Sequence, residues 1–173
     1  MPKMKLMLIG DSFAADWTVK YSEQKGWPNF LADYFCVDNI AQAGVSEYKI
    51  YQQVLSIDCV DDYDFFIVSH TSPYRTVTRQ HPVHSLDPLH RHADLMLNDV
   101  HYHSRTLKGF LNPALRAAQT YINYHYDIEY HETTYNLFLK EIEQTLPKHK
   151  IITCKFLSSS STYHPCHLLD FTE

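Results

Sequence analysis

Four short apolar runs, each halted by small polar residues, alternate along this chain with stretches whose apolar side chains recur every three or four positions. No other feature restricts the fold as much. A short apolar run bounded by turn residues fits a strand buried on both faces, and strands alternating with helices imply a parallel sheet, because each crossover must lie over the sheet. The runs are residues 3–9, ending at Gly10-Asp11-Ser12; residues 37–41, ending at Gln42-Ala43-Gly44; Phe65-Phe66-Ile67-Val68, ending at Ser69-His70-Thr71-Ser72-Pro73; and residues 151–156. Residues 27–35 have helical spacing at Trp27, Phe30, Leu31 and Tyr34, with Pro28 suited to a first turn. Residues 46–56 place Tyr48, Tyr51 and Leu55 on one side. Residues 113–146 open on an Asn112-Pro113 cap and stop before Pro147. This order predicts an α/β fold, a three-layer α/β/α sandwich with a parallel, flavodoxin-like sheet and right-handed crossovers.

Residues 76–106 interrupt the pattern. They are polar and rich in histidine, contain Pro82 and Pro88, and lack a long apolar period. They are expected to form an excursion over the surface of a single domain spanning 1–173. His81 and His84 have helical spacing, while His90/His92 and His101/His103 are H-x-H pairs. On a strand such pairs project from one face, a spacing metals use, but no HExxH pattern accompanies them. The expectation is a solvated lid or interface loop, with no metal and no cofactor. Tyr121, Tyr124, Tyr126, Tyr130 and Tyr135 predict an amphipathic face turned to the sheet or a partner, with a carbohydrate platform as the alternative. Trp17 and Trp27 are expected in the core.

A length of 173 residues suits one domain. A net charge of −5 argues against nucleic-acid binding and adhesion to anionic membranes. Protonating all 12 histidines would give −5 + 12 = +7, so mild acid reverses the sign. No apolar stretch is long enough for a membrane span, and the first run lacks the length and cleavage site of a signal peptide. The expected location is cytoplasmic. Cys36, Cys59, Cys154 and Cys166 have no CxxC spacing and are expected to be free packing thiols.

In open parallel sheets, ligands bind beyond the carboxyl ends of the strands. Three strand ends here carry small polar residues, at Gly10-Asp11-Ser12, Ala43-Gly44-Val45-Ser46 and His70-Thr71-Ser72. A serine in a turn that opens a helix has its hydroxyl in the positive field of the helix end, and needs a base to become a nucleophile. The N–H groups of Ser12 and Gly44 would then face a developing oxyanion. Taken alone, Gly10-Asp11-Ser12 is more often just an Asx-type turn at a helix start.

Leu8-Ile9-Gly10-Asp11-Ser12 resembles the first block of the GDSL/SGNH hydrolases, and Asn39-Ile40-Ala41-Gln42-Ala43-Gly44 resembles the second. The likeness covers about residues 4–75. It implies an SGNH-type sheet and an esterase or deacylase acting on a small acyl ester, on a carbohydrate or lipid-like carrier among others. Ser12 would be the nucleophile and Gly44 an oxyanion donor. The chain departs from the family at the third block, whose asparagine position falls within His70-Thr71-Ser72-Pro73, so Ser72 or Thr71 is expected to donate instead. The family's final Asp-x-x-His is also missing from the C-terminal segment. His164 or His167 is the expected base, oriented by Asp170, unless the reading frame is truncated. One Asp-x-x-His does occur, Asp87 to His90, but in the excursion, out of the family's chain order. Arg75 is expected either to clamp an anionic substrate group or to cap the sheet. The departures leave an inactive binding or structural module as the alternative function, and a metal-dependent hydrolase using the histidines of 81–103 as a third.

Overall fold

A computed structural model describes residues 3–155. The apolar runs become the strands β1 (Lys5–Gly10), β2 (Cys36–Asn39), β3 (Phe65–His70) and β6 (Ile151–Lys155). All pair in parallel, in the spatial order β2-β1-β3-β6. Leu8 lies between Asn39 and Ile67, so the ends of β1, β2 and β3 sit close together at one rim. The order turns back at β1 and β3, which puts a crevice between the loops that follow them.

Side chains alternate across a strand. Met7 and Ile9 of β1 and Phe66 and Val68 of β3 share one face. Val45, together with Ile50 and Val54 of α2 (Glu47–Leu55), covers them, joined by Ile142 and Leu146 at the end of α6 (Ile128–Thr145). Each such buried side chain contributes roughly 1.5–3 kcal/mol. Leu6 and Leu8 alternate to the opposite face and are buried as well. The sheet is flanked by helices, giving the expected three-layer α/β/α arrangement.

Three local expectations change. The helix predicted over 27–35 is only α1 (Trp27–Leu31), with Pro28 in its first turn. Phe30 and Tyr34 are exposed, so the periodic side chains have no surface to cover. The stretch 113–146 is two helices, α5 (Pro113–His125) and α6, because Tyr126 turns extended and the Asp127 side chain caps the second by accepting from the N–H of Glu129 and Tyr130. The excursion is not merely solvated. It opens on β4 (Arg75–Thr76), which pairs antiparallel with β5 (Leu95–Met96), runs on into α3 (Leu97–Ser104), and is followed by α4 (Leu107–Leu111). Leu95 and Val100 join Leu115 and Ala118 of α5 in a second apolar core, while Leu89 joins Ala15 and Ala43 in a third.

Cys36 and Cys59 are exposed rather than packed, Cys154 is half-buried, and Cys166 lies outside the described residues. Among the described residues, no helix is long and apolar enough to cross a membrane.

Candidate active site

The loop after β1 begins with a backbone conformation that only glycine adopts easily. Gly10 has φ +142°, and a Cβ there would come within 2.4 Å of the Ser69 carbonyl oxygen. The buried Gln53 side chain braces this point, accepting from the Gly10 N–H at 2.8 Å and donating to its carbonyl at 3.2 Å. Asp11 then folds the chain back. Its carboxylate accepts from the Phe13 N–H and the Ser69 hydroxyl, both at 3.1 Å. Burial pushes the Asp11 carboxyl above its usual range. No helix opens at Ser12, contrary to expectation. A turn follows, then a single 3-10 turn over Trp17–Val19. The Ser12 carbonyl accepts from the Trp17 indole at 2.8 Å, so this half-buried tryptophan braces the loop while packing against the cluster of Ala15, Ala43 and Leu89.

Gly44 follows β2 with φ +81°. A Cβ there would lie 2.7 Å from Cβ of Ala93 and 3.6 Å from Cδ2 of His90. Its carbonyl accepts from the Asp94 N–H at 2.9 Å and from Arg75 Nη1 at 3.0 Å. Among the described residues, the N–H groups of Ser12 and Gly44 have no acceptor.

Ser12, Gly44, Trp17, Arg75, His84 and His90 line one cleft of about 480 Å³. His90 stands edge-on to Trp17 and presents Nδ1 to Asp87 Oδ2 at 3.5 Å. Asp87 also accepts from Lys20 Nζ and the Leu89 N–H, and Lys20 leads the interactions that draw its carboxyl down to about 2. Because Cδ2 adjoins Nε2, the free nitrogen edge of His90 is the edge near Gly44. His90, carried by the Asp87-x-x-His90 turn that is out of order in the chain, lines the same cleft as Ser12.

A second histidine group surrounds Asp99 on α3. His84 Nε2 lies 3.1 Å and His81 Nε2 3.2 Å from Oδ2, while His103 Nε2 lies 3.2 Å from Oδ1. Burial raises the Asp99 carboxyl, but His81, His84 and His103 together outweigh it and leave it lowered. Burial also lowers His84. Atoms of His81, His84 and Asp99 fall within 4.8 Å of one another, a spacing that could hold a metal. The bonding of His81 opposes that use. Its Nδ1 accepts from the N–H of Val83 at 3.1 Å and of His84 at 3.2 Å. A neutral ring accepting at Nδ1 carries its proton on Nε2, leaving no lone pair there for an ion. The H-x-H pairs lie on no strand, and each divides its members, with His92 and His101 exposed while His90 and His103 are half-buried.

The end of β3 is arranged differently from the expectation. His70 is fully buried, its Nδ1 2.6 Å from Glu47 Oε1, and the Glu47 carboxylate also accepts from the Thr71 N–H at 3.2 Å. The Thr71 hydroxyl accepts from Arg75 Nε at 2.9 Å, and the Ser72 hydroxyl accepts from the Tyr74 N–H at 3.3 Å. Ser72 lines a second cavity of about 240 Å³ with Ser46, Tyr121, Tyr130 and Tyr135. Arg75 lines both cavities. His164, His167 and Asp170 lie outside the described residues. The sequence reading singled out neither Asp94 nor Asp99. Asp94 fastens the excursion to the sheet, accepting from the N–H groups of Ser46 and Thr78, each at 2.8 Å.

No protein-family model matches the chain, and no curated protein matches it. Among solved structures, it is similar to the lipase Lip_vut3 from a goat rumen metagenome, with 12% identity, 87% of this chain and 80% of that chain covered, and a TM-score of 0.34.

Proposed function

We propose that this chain is a serine hydrolase that cleaves small acyl esters, with Ser12 as nucleophile. One observation carries the reading: Ser12 and Gly44, whose backbone N–H groups are unpaired, line a single cleft with His90, whose Nδ1 faces Asp87. In this mechanism the Ser12 hydroxyl attacks the acyl carbonyl while His90 Nε2 takes its proton. The N–H groups of Ser12 and Gly44 hold the oxyanion. Asp87, 3.5 Å from Nδ1, stabilises the imidazolium by its charge. Collapse expels the alcohol, which receives the proton from His90. Water, deprotonated by His90, then attacks the acyl-serine and releases the carboxylic acid. No cofactor enters these steps.

The competing source of the base is the C-terminal set of His164, His167 and Asp170, in keeping with the family order. The competing function is a binding module, favoured by the third-block asparagine being absent and by Ser72 lining the other cavity. A fluorophosphonate probe separates these readings. Wild-type protein should be labelled at Ser12, and Ser12→Ala should lose both labelling and hydrolysis of p-nitrophenyl acetate. His90→Ala should slow labelling by ~10²–10⁴-fold, the usual worth of a general base. If His167→Ala or His164→Ala is silenced while His90→Ala is not, the base is C-terminal. Well-folded wild-type protein that resists the probe would overturn the enzyme reading.

A further inference from the structure

A charge removed from water needs a partner, and an unpaired one is costly. Arg75 is half-buried on the wall between the Ser12 cleft and the tyrosine-lined cavity. Its two hydrogen bonds go to neutral acceptors, the Thr71 hydroxyl and the Gly44 carbonyl. A guanidinium has five N–H donors, so three remain. Among the described residues no carboxylate forms an ion pair with it.

The carboxylates around it are committed elsewhere. Asp11 is held by the Phe13 N–H and the Ser69 hydroxyl. Asp94 is held by two backbone N–H groups and by Lys49 Nζ at 2.7 Å. Asp99 faces three imidazoles, and Glu47 binds His70 and the Thr71 N–H. Beyond Arg75, the second cavity adds neutral donors. The Ser46 hydroxyl is buried there without a hydrogen-bond partner. Burial holds the Tyr135 phenol far above its ordinary range, so it keeps its proton and donates. Asp11, Asp94 and Asp99 act on the guanidinium through space, but none closes an ion pair with it, and the Ser46 and Tyr135 hydroxyls line the cavity beside it.

We propose that Arg75 anchors an anionic group of the substrate, so that the esters taken by this site carry a carboxylate or a phosphate close to the scissile bond. The substrate class rests on the serine-hydrolase reading; the anion site does not. A planar guanidinium matches the paired oxygens of both groups. The ester then lies toward Ser12, and the charged end lies at Arg75 with the Ser46 hydroxyl behind it.

Inorganic phosphate and succinate, titrated into the full chain by calorimetry, test the site directly. At least one should bind, and Arg75→Gln should weaken binding tenfold or more. Arg75→Lys should restore part of it, and Ser46→Ala should weaken it less than Arg75→Gln. The relative affinities distinguish phosphate from carboxylate. In turnover, kcat/KM for mono-p-nitrophenyl succinate should exceed that for p-nitrophenyl acetate tenfold or more, and that ratio should collapse in Arg75→Gln. If neither anion binds, or if Arg75→Gln and Ser46→Ala, both folded by circular dichroism, bind as wild type does, the proposal is wrong. Arg75-dependent anion binding in a chain that the fluorophosphonate never labels would instead sink the hydrolase reading and leave the anion site standing.

Discussion

Gly44 concentrates the local constraints on the site. Its φ of +81° costs any other residue, and its missing Cβ leaves the space occupied by Ala93 and approached by His90. A methyl group 2.7 Å from Cβ of Ala93 must push the excursion away from the sheet. Gly44→Ala is therefore expected to destabilise the fold by ~1–3 kcal/mol, the scale of a strained backbone position. It should also slow fluorophosphonate labelling, because the same shift moves the Gly44 N–H and the His90 ring. Urea midpoints and labelling rates on one preparation check both halves. Unchanged labelling in a destabilised variant would remove Gly44 from the oxyanion role while leaving its packing role. The sequence made this glycine legible through its position after a strand. The reason for it was not legible, since Ala93 and His90 lie far along the chain and carry no local sign of returning.

At the level of elements, the strands were readable and the excursion was not, and the cause is the kind of contact each makes. β1 and β3 bury nearly every side chain, so their apolar runs stand out. In α3 only Val100 is buried, and the helix is held instead by Asp99 among three imidazoles and by the short β4–β5 ladder. Polar anchoring leaves no 3.6-residue period to find. The Asp87-x-x-His90 turn shows the same limit, because its spacing was visible but the arrival of His90 in the cleft that Ser12 lines depends on Asp94 and Leu89 docking. The anchoring is testable through Asp99. With the His81 proton on Nε2, that nitrogen has no lone pair for an ion, so equimolar zinc or thorough chelation should leave the melting temperature and Ser12 labelling unchanged. Asp99→Asn should lower the melting temperature and speed amide exchange across 77–106. A large zinc-dependent rise in melting temperature that Asp99→Asn abolishes would mean that the turn after His81 reorganises around a metal.

Across the whole molecule, histidine burial sets how the fold responds to acid. The described structure holds His84 and His131 below 6.5 chiefly by burial, and His92 by burial aided by Arg91 and Lys49. A histidine held below its unfolded value is neutral in the fold where the unfolded chain has begun to charge. The unfolded state therefore binds more protons, and stability falls as pH drops through about 6.5. Asp87 and Asp99, both lowered, add a second loss at lower pH, since their contribution is complete above 3.8 and disappears toward the folded values. Asp11 opposes that second loss, because its raised carboxyl favours the fold when protonated. The chain's sign reversal from −5 to +7 spans the same interval and adds self-repulsion at its acid end. Urea midpoints measured from pH 7.5 to 2 should decline in two stages, the first setting in below about 6.5 and the second below about 3.8. His84→Gln, which leaves a polar side chain beside Asp99 but cannot take up a proton, should flatten the first stage and spare the second. A midpoint that holds constant from pH 7 to 5 in the wild type would contradict the burial of these rings.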